Sequence, residues 1–172
     1  NVGGEVLQND FCSSTMLKPR LDSELKRAAS SDQDLVLGFV HCFVCRELNE
    51  DNEIYKSAFS FFPFQDLLFR FDSKTFAVIL PNTDLDQGID LLTKFQHYLF
   101  ERNSRTPIDT AMGLSSRNGR LIDNERIILE TRVALKKAID DPETKIFGFR
   151  PDPGKYRSYV AHKKSRNPAE RT

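Results

Sequence analysis

Tryptophan is absent from this chain of 172 residues, and cysteine occurs only three times, as Cys12, Cys42 and Cys45. Three cysteines are an odd number and too few to staple a disulfide scaffold, so a reducing compartment is expected. Net charge is also missing, because 25 basic and 25 acidic side chains cancel. A neutral chain has no global field to draw in nucleic acid or an anionic membrane, which excludes a generic electrostatic binder. No apolar run approaches the roughly 20 residues that a spanning helix needs, and the front of the chain carries no secretory leader. The first residue is Asn1 rather than Met, and the expectation is a soluble piece of a longer protein, freed by cutting, tag removal or processing.

What is present is phenylalanine. With 14 copies and a hydrophobic share of 39%, the chain has room for one domain with an aromatic-rich core and short ends. Cys42-Phe43-Val44-Cys45 is formally a CxxC with His41 beside it. One such pair supplies two or three ligands at most, and no second pair exists to close a tetrahedral zinc site. A redox CxxC opens a helix, whereas this one ends an apolar strand, so buried or half-buried thiols are the expectation.

Residues 1–15 are polar and read as a lead-in, anchored at Val6, Leu7 and Phe11. Met16, Leu17, Leu21, Leu25 and Ala28 then recur at helical spacing, and Ser30-Ser31-Asp32 closes that helix. Leu35 to Val44 is an almost unbroken apolar run of strand length, as a central strand covered on both sides requires. Beyond the charged stretch from Arg46 to Glu53, Ile54 to Phe62 reads as a short helix stopped by Pro63. Strands follow at Leu67 to Phe71 and Thr75 to Leu80, joined by a turn at Asp72-Ser73. Asp84 caps a helix marked by Leu85, Ile89, Leu92, Phe95 and Leu99. Ile108 to Leu114 is a strand, Asp123 or Asn124 opens another helix, and Lys145 to Phe149 is a last strand. The tail over 151–172 is basic and expected to be flexible. The order contains a βαββαβ unit behind an extra N-terminal helix, which predicts a ferredoxin-like or palm α/β sandwich.

The segment Arg70-Phe71-Asp72-Ser73-Lys74-Thr75-Phe76-Ala77-Val78-Ile79-Leu80-Pro81 resembles the signature hairpin of the GGDEF family, the diguanylate cyclases. That hairpin reads roughly Arg-Tyr-Gly-Gly-Asp-Glu-Phe-Ala-Val-Leu-Leu-Pro. The opening helix, with its Leu-x-x-Glu-Leu-x-Arg-Ala pattern, is similar too, and the resemblance covers about residues 16–150. It implies a nucleotidyl-cyclase-like palm fold and a cytoplasmic place in a bacterial signalling protein.

The resemblance also implies which residues would matter. In active members two acids at the end of the first strand help to hold magnesium, which neutralises a triphosphate and positions it for attack. Aligned on Phe43, those slots fall on Val40 and Cys42. No one-residue slip supplies an acid, because no Asp or Glu lies between Leu35 and Arg46. Asp72, Ser73, Lys74 and Thr75 stand where Gly-Gly-Asp-Glu is expected, so a lysine replaces an acid at a cation site. The family's Ser-x-Gly is Ala111-Met112-Gly113, and the phosphate lysine of its last helix falls on Ile139. The Asn-Asp and Gly-His elements that serve base and ribose have no counterpart. Product binding by relatives uses Arg-x-x-Asp before the hairpin, here Pro63-Phe64-Gln65-Asp66. Asp66 and Arg70 are therefore the vestigial contacts to examine.

The remaining candidates are weaker. His41, His97 and His162 are scattered, with no triad partners. The aromatics Phe39, Phe43, Phe69, Phe71 and Phe76 lie on strands, but a neutral domain whose strands are covered by apolar helices points to core packing rather than RNA recognition. Asp109 is the one carboxylate expected inside a core strand, too little for another palm-fold enzyme. The expectation is a degenerate domain without cofactor, metal or nucleic-acid partner. It would act by protein contact or dimerisation downstream of a sensor or membrane region. A receptor for GTP, GDP or cyclic di-GMP, with Lys74 and Thr75 touching phosphate directly, is the alternative.

Overall fold

The structure, a computed structural model, describes residues 11–43, 52–64, 66–102 and 108–150. Helix α1 (Leu17–Ser30) buries Leu17, Leu21, Leu25 and Ala28 on one stripe. It ends where Asp32 turns left-handed at φ 48°, the Asp32 amide donating to Ala29 and the Gln33 amide to Ala28, a Schellman closure. Strand β1 (Leu35–Cys42) follows, then α2 (Asn52–Phe61), β2 (Leu68–Arg70) and β3 (Thr75–Pro81). Helix α3 (Leu85–Arg102) opens on a reciprocal box in which Gln87 N–H donates to Asp84 Oδ1 and Asp84 N–H to Gln87 Oε1. Strand β4 (Thr110–Ser116), helix α4 (Asn124–Asp140) capped by Asp123, and β5 (Ile146–Gly148) complete the order.

The strands form one sheet in the order β2-β3-β1-β4-β5. All neighbours are antiparallel except β4 and β5. The segment from β1 to β4 is thus the expected βαββαβ unit, and α4 returns the chain so that β5 can lie parallel to β4. The mixed α/β palm fold read from the sequence is the fold observed. One boundary differs with consequence: Asp109 lies just before β4 rather than inside it. Its carbonyl accepts from Phe43 N–H at 3.1 Å while its carboxylate reaches Lys145 at 2.6 Å.

Both faces of the sheet are covered, which is why β1 reads as an unbroken apolar run. Even-numbered residues Val36, Val40 and Cys42 face a core built with α2 and α3. Odd-numbered Leu35, Leu37 and Phe39 face a second core built with α1 and α4. The lead-in contributes as well: Phe11 is buried and stacks on Phe76 with ring centroids 4.5 Å apart. Cys12 adds a bridge to the β2 edge at Phe69. Val6, Leu7, Val44, Cys45, the charged connection at 46–51, Gln65 and the tail lie outside the described residues.

Candidate functional site

The β2–β3 hairpin closes without a residue at positive φ, so its geometry makes no demand for glycine. Instead Asp72 fastens the turn, its Oδ1 accepting from Lys74 N–H at 2.9 Å. Phe71 and Asp72 amides both donate to the Thr75 carbonyl. Asp72 and Ser73 are exposed, Lys74 is half-buried, and Thr75 is buried. The turn is docked on β1, where Cys42 N–H donates to the Lys74 carbonyl at 2.9 Å.

The β1 side chain that meets this turn is His41. Its register partner is Thr75, and His41 Nδ1 lies 2.9 Å from Thr75 Oγ1. Burial pushes the imidazole pKa below its ordinary value, and Lys74 adds to the shift while Asp72 opposes it. Val40 and Cys42 point the other way. Both are fully buried in the α2/α3 core, where Val40 faces Phe76 across the register. Sequence reasoning passed over His41 as an ordinary histidine. The signal that finds it is strand alternation: once Phe39 is core on the α1/α4 side, His41 shares that side.

Around His41 the surface is aromatic and of mixed charge, with Asp72 and Lys74 on the turn and Lys145 paired to Asp109. His41 and Phe43 meet edge to face at 5.2 Å, and Lys145 Nζ sits 5.1 Å from the Phe43 ring. Phe71 stacks on Phe39 at 4.4 Å and receives the Arg132 guanidinium at 5.0 Å. None of the five described strands carries an Asp or Glu. Among the described residues no group of three His, Cys, Asp or Glu is placed to hold a metal ion. The described residues thus bring together no set of carboxylate oxygens of the kind that holds a pair of magnesium ions.

The slot before the hairpin holds more than its sequence suggested. Pro63 is exposed, and Asp66 lies in the turn ahead of β2. Yet Arg20 of α1 reaches Asp66 Oδ2 at 3.0 Å and Glu24 at 3.4 Å. A guanidinium thus stands beside Asp66, supplied from far away in sequence where no local motif could show it. Next to it, Phe59, Phe61, Phe62, Pro63, Phe64 and Asp66 line an open groove of about 650 Å³. Arg70 donates to the Tyr55 hydroxyl at 3.3 Å, tying β2 to α2. Ile139 is partly exposed near the end of α4.

The seam between β4 and α4 is tight by comparison. A Cβ built on Gly113 would stand 2.5 Å from Leu135 Cα and closer still to its backbone nitrogen. Glu130 is buried and accepts from Ser115 at 2.6 Å, from Arg120 at 2.7 and 2.8 Å, and from Arg126 at 3.0 Å. Burial alone would raise its pKa, but these donors, Arg120 first, hold it below the usual carboxylate value.

No protein-family model matches the sequence, and no curated protein matches it. Solved structures do match. The active GGEEF domain of a diguanylate cyclase from Vibrio cholerae superposes with a TM-score of 0.69 at 20% identity. That alignment spans 83% of this chain and all of the other. The chain has the fold of a GGDEF domain. The GGDEF domain of TpbB or YfiN from Pseudomonas aeruginosa gives a TM-score of 0.71 at 12% identity, over 86% of this chain and 95% of its own. The GGDEF domain of DgcB from Caulobacter crescentus, solved in complex with c-di-GMP, gives 0.68 at 12% identity, over 82% and 90%.

Proposed function

We propose that this chain is a degenerate member of the GGDEF family, a non-catalytic domain that works by protein contact or dimerisation within a larger bacterial signal-transduction protein. The observation that carries the reading is the cluster at the end of β1. His41, Thr75 and Lys74 meet there, and Val40 and Cys42 are turned into the core. A metal-bound triphosphate needs carboxylates at that point, and β1 carries none. The packing that supports the hairpin, by contrast, is complete on both faces of the sheet. An upstream sensor or membrane region would act through α1, which lies against the same core as β1 and β3. Incubation with GTP and magnesium or manganese is expected to yield no cyclic di-GMP, and appreciable turnover would overturn the reading.

One observation favours a second reading, a receptor for cyclic di-GMP or another guanine nucleotide. The Arg20–Asp66 pair at 3.0 Å borders the aromatic groove after α2. A guanidinium can grip phosphate or a guanine edge in bidentate fashion, and the phenylalanines offer stacking surface. Calorimetric titration separates the readings. Micromolar binding of cyclic di-GMP, abolished by Arg20→Ala, supports the receptor; no heat with GTP, GDP or cyclic di-GMP leaves protein contact.

A further inference from the structure

At the end of the sheet away from the hairpin, the loop from β4 to α4 meets the second half of α1. The register places it there, since Leu35 pairs with Pro81 and Val36 with Ser116, whereas His41 pairs with Thr75. The loop turns through left-handed backbone at Asn118 and Gly119, with φ 51° and 72°. Asn118 N–H donates to Asp34 Oδ1 at 2.9 Å, and Arg120 donates to the carbonyls of Ser116 and Arg117 at 2.7 and 3.0 Å. Between loop and helix lies a cavity of about 340 Å³, at the small end of the range for ligand sites. Arg117 forms part of its wall and is only 5% exposed. Its Nη1 donates to the Gln33 carbonyl at 3.0 Å and lies 3.7 Å from Asp32, while its buried Nε has no partner. The side-on edge of Nε and Nη2, which can grip a carboxylate with two parallel bonds, is thus unused among the described residues.

The charges that share this cavity are mixed. Lys26 and Arg120 stand with Arg117, and Asp22 and Asp123 stand against them. Asp22 accepts from Asn124 Nδ2 at 2.7 Å and Asp123 from Arg126 N–H at 2.9 Å, so both keep their negative charge. Asn124 itself has a buried Oδ1 with no partner. Counting the pair partners Asp32, Glu130 and Arg126, four cations meet four carboxylates. A plain anion would be repelled by Asp22 and Asp123, and a plain cation by Lys26 and Arg117. A zwitterion meets neither objection. Leu25, Ala29 and Ile122 make the rest of the wall apolar. We propose that this cavity binds a free aliphatic α-amino acid. Its carboxylate takes the unused edge of Arg117, with Lys26 adding charge, and its ammonium faces Asp22 and Asp123. Its side chain covers Leu25, Ala29 and Ile122 and removes that apolar wall from water.

The proposal is independent of what the hairpin does, and calorimetric titration of the full chain with L-leucine tests it. A Kd of about 1 mM or below is expected, because a small ligand in an open cavity makes few contacts. 4-Methylpentanoate lacks the ammonium and isopentylamine lacks the carboxylate, and each is expected to bind about tenfold more weakly or not at all. Ala29→Phe fills the cavity from a half-buried position on α1 and is expected to abolish leucine binding with the melting temperature little changed. Asp22→Asn keeps an acceptor for Asn124. It is expected to weaken leucine about tenfold and 4-methylpentanoate not at all, a split that a merely structural role for Asp22 does not produce. Absence of heat with leucine at about 10 mM overturns the proposal. So does equal binding of leucine and either analogue, or leucine binding that survives Ala29→Phe. Leucine binding indifferent to Asp22→Asn overturns the ammonium contact. Turnover of GTP would sink the non-catalytic reading and leave this site standing.

Discussion

The hairpin end of β1 and β3 and the seam between β4 and α4 belong to the same sheet and are built to opposite standards. At the seam, Gly113 lies against the Leu135 backbone and Glu130 is held by Ser115, Arg120 and Arg126. An added methyl group there meets the Leu135 backbone, and a lost partner leaves a buried charge. At the hairpin, Asp72 and Ser73 are exposed, the turn closes through one side chain, and no backbone strain fixes residue identity. The difference teaches where this chain is constrained. The seam is held by close packing and a buried carboxylate, while the turn rests on Asp72 and on the burial of Thr75 and Phe76 beside it.

The comparison breaks if the two regions respond alike to substitution. The largest effect is expected at Glu130. Glu130→Ala leaves the nearly buried Arg120 guanidinium without its carboxylate and costs about 4 kcal/mol, measured by urea denaturation. Gly113→Ala comes next, because the new methyl group has to displace Leu135 and with it α4. A loss of about 3 kcal/mol is expected by the same measurement.

His41 sharpens the comparison through pH. Its folded-state pKa is depressed by burial, so the unfolded chain takes up the proton first. The sign follows: stability is constant above the unfolded histidine pKa and falls as pH drops below about 6.5. Thermal melts between pH 7.5 and 5.5 should show that decline, and His41→Gln should flatten it. The smallest effect is expected at the turn itself. Ser73→Gly or Lys74→Ala should change stability by no more than about 0.5 kcal/mol, because neither side chain packs in either core. A loss there as large as at Gly113 would erase the distinction.

The fold was legible because its signals are local. Leu35 to Cys42 declares a strand covered twice, Asp84 and Asp123 cap the helices they precede, and Leu17, Leu21, Leu25 and Ala28 mark the face of α1. The hairpin frame was legible for the same reason. What stayed hidden depends on contacts across the chain. Arg20 meets Asp66 over 46 residues, a pairing that no motif encodes. His41 becomes the neighbour of Thr75 only through the antiparallel register of β1 and β3. Phe11 read as lead-in because a single aromatic has no periodicity, yet it stacks on Phe76 in the core. Asp109 read as a strand residue because apolar neighbours flank it, while its carboxylate is drawn out to Lys145.

The central claim is that packing was kept at the seam while chemistry was lost at the hairpin. Its most direct test is a sensitive assay for cyclic di-GMP after prolonged incubation of the chain with GTP and magnesium or manganese. The account predicts none, and none either after Lys74→Asp, because β1 carries no carboxylate. Accumulation of cyclic di-GMP by the unaltered chain would contradict it.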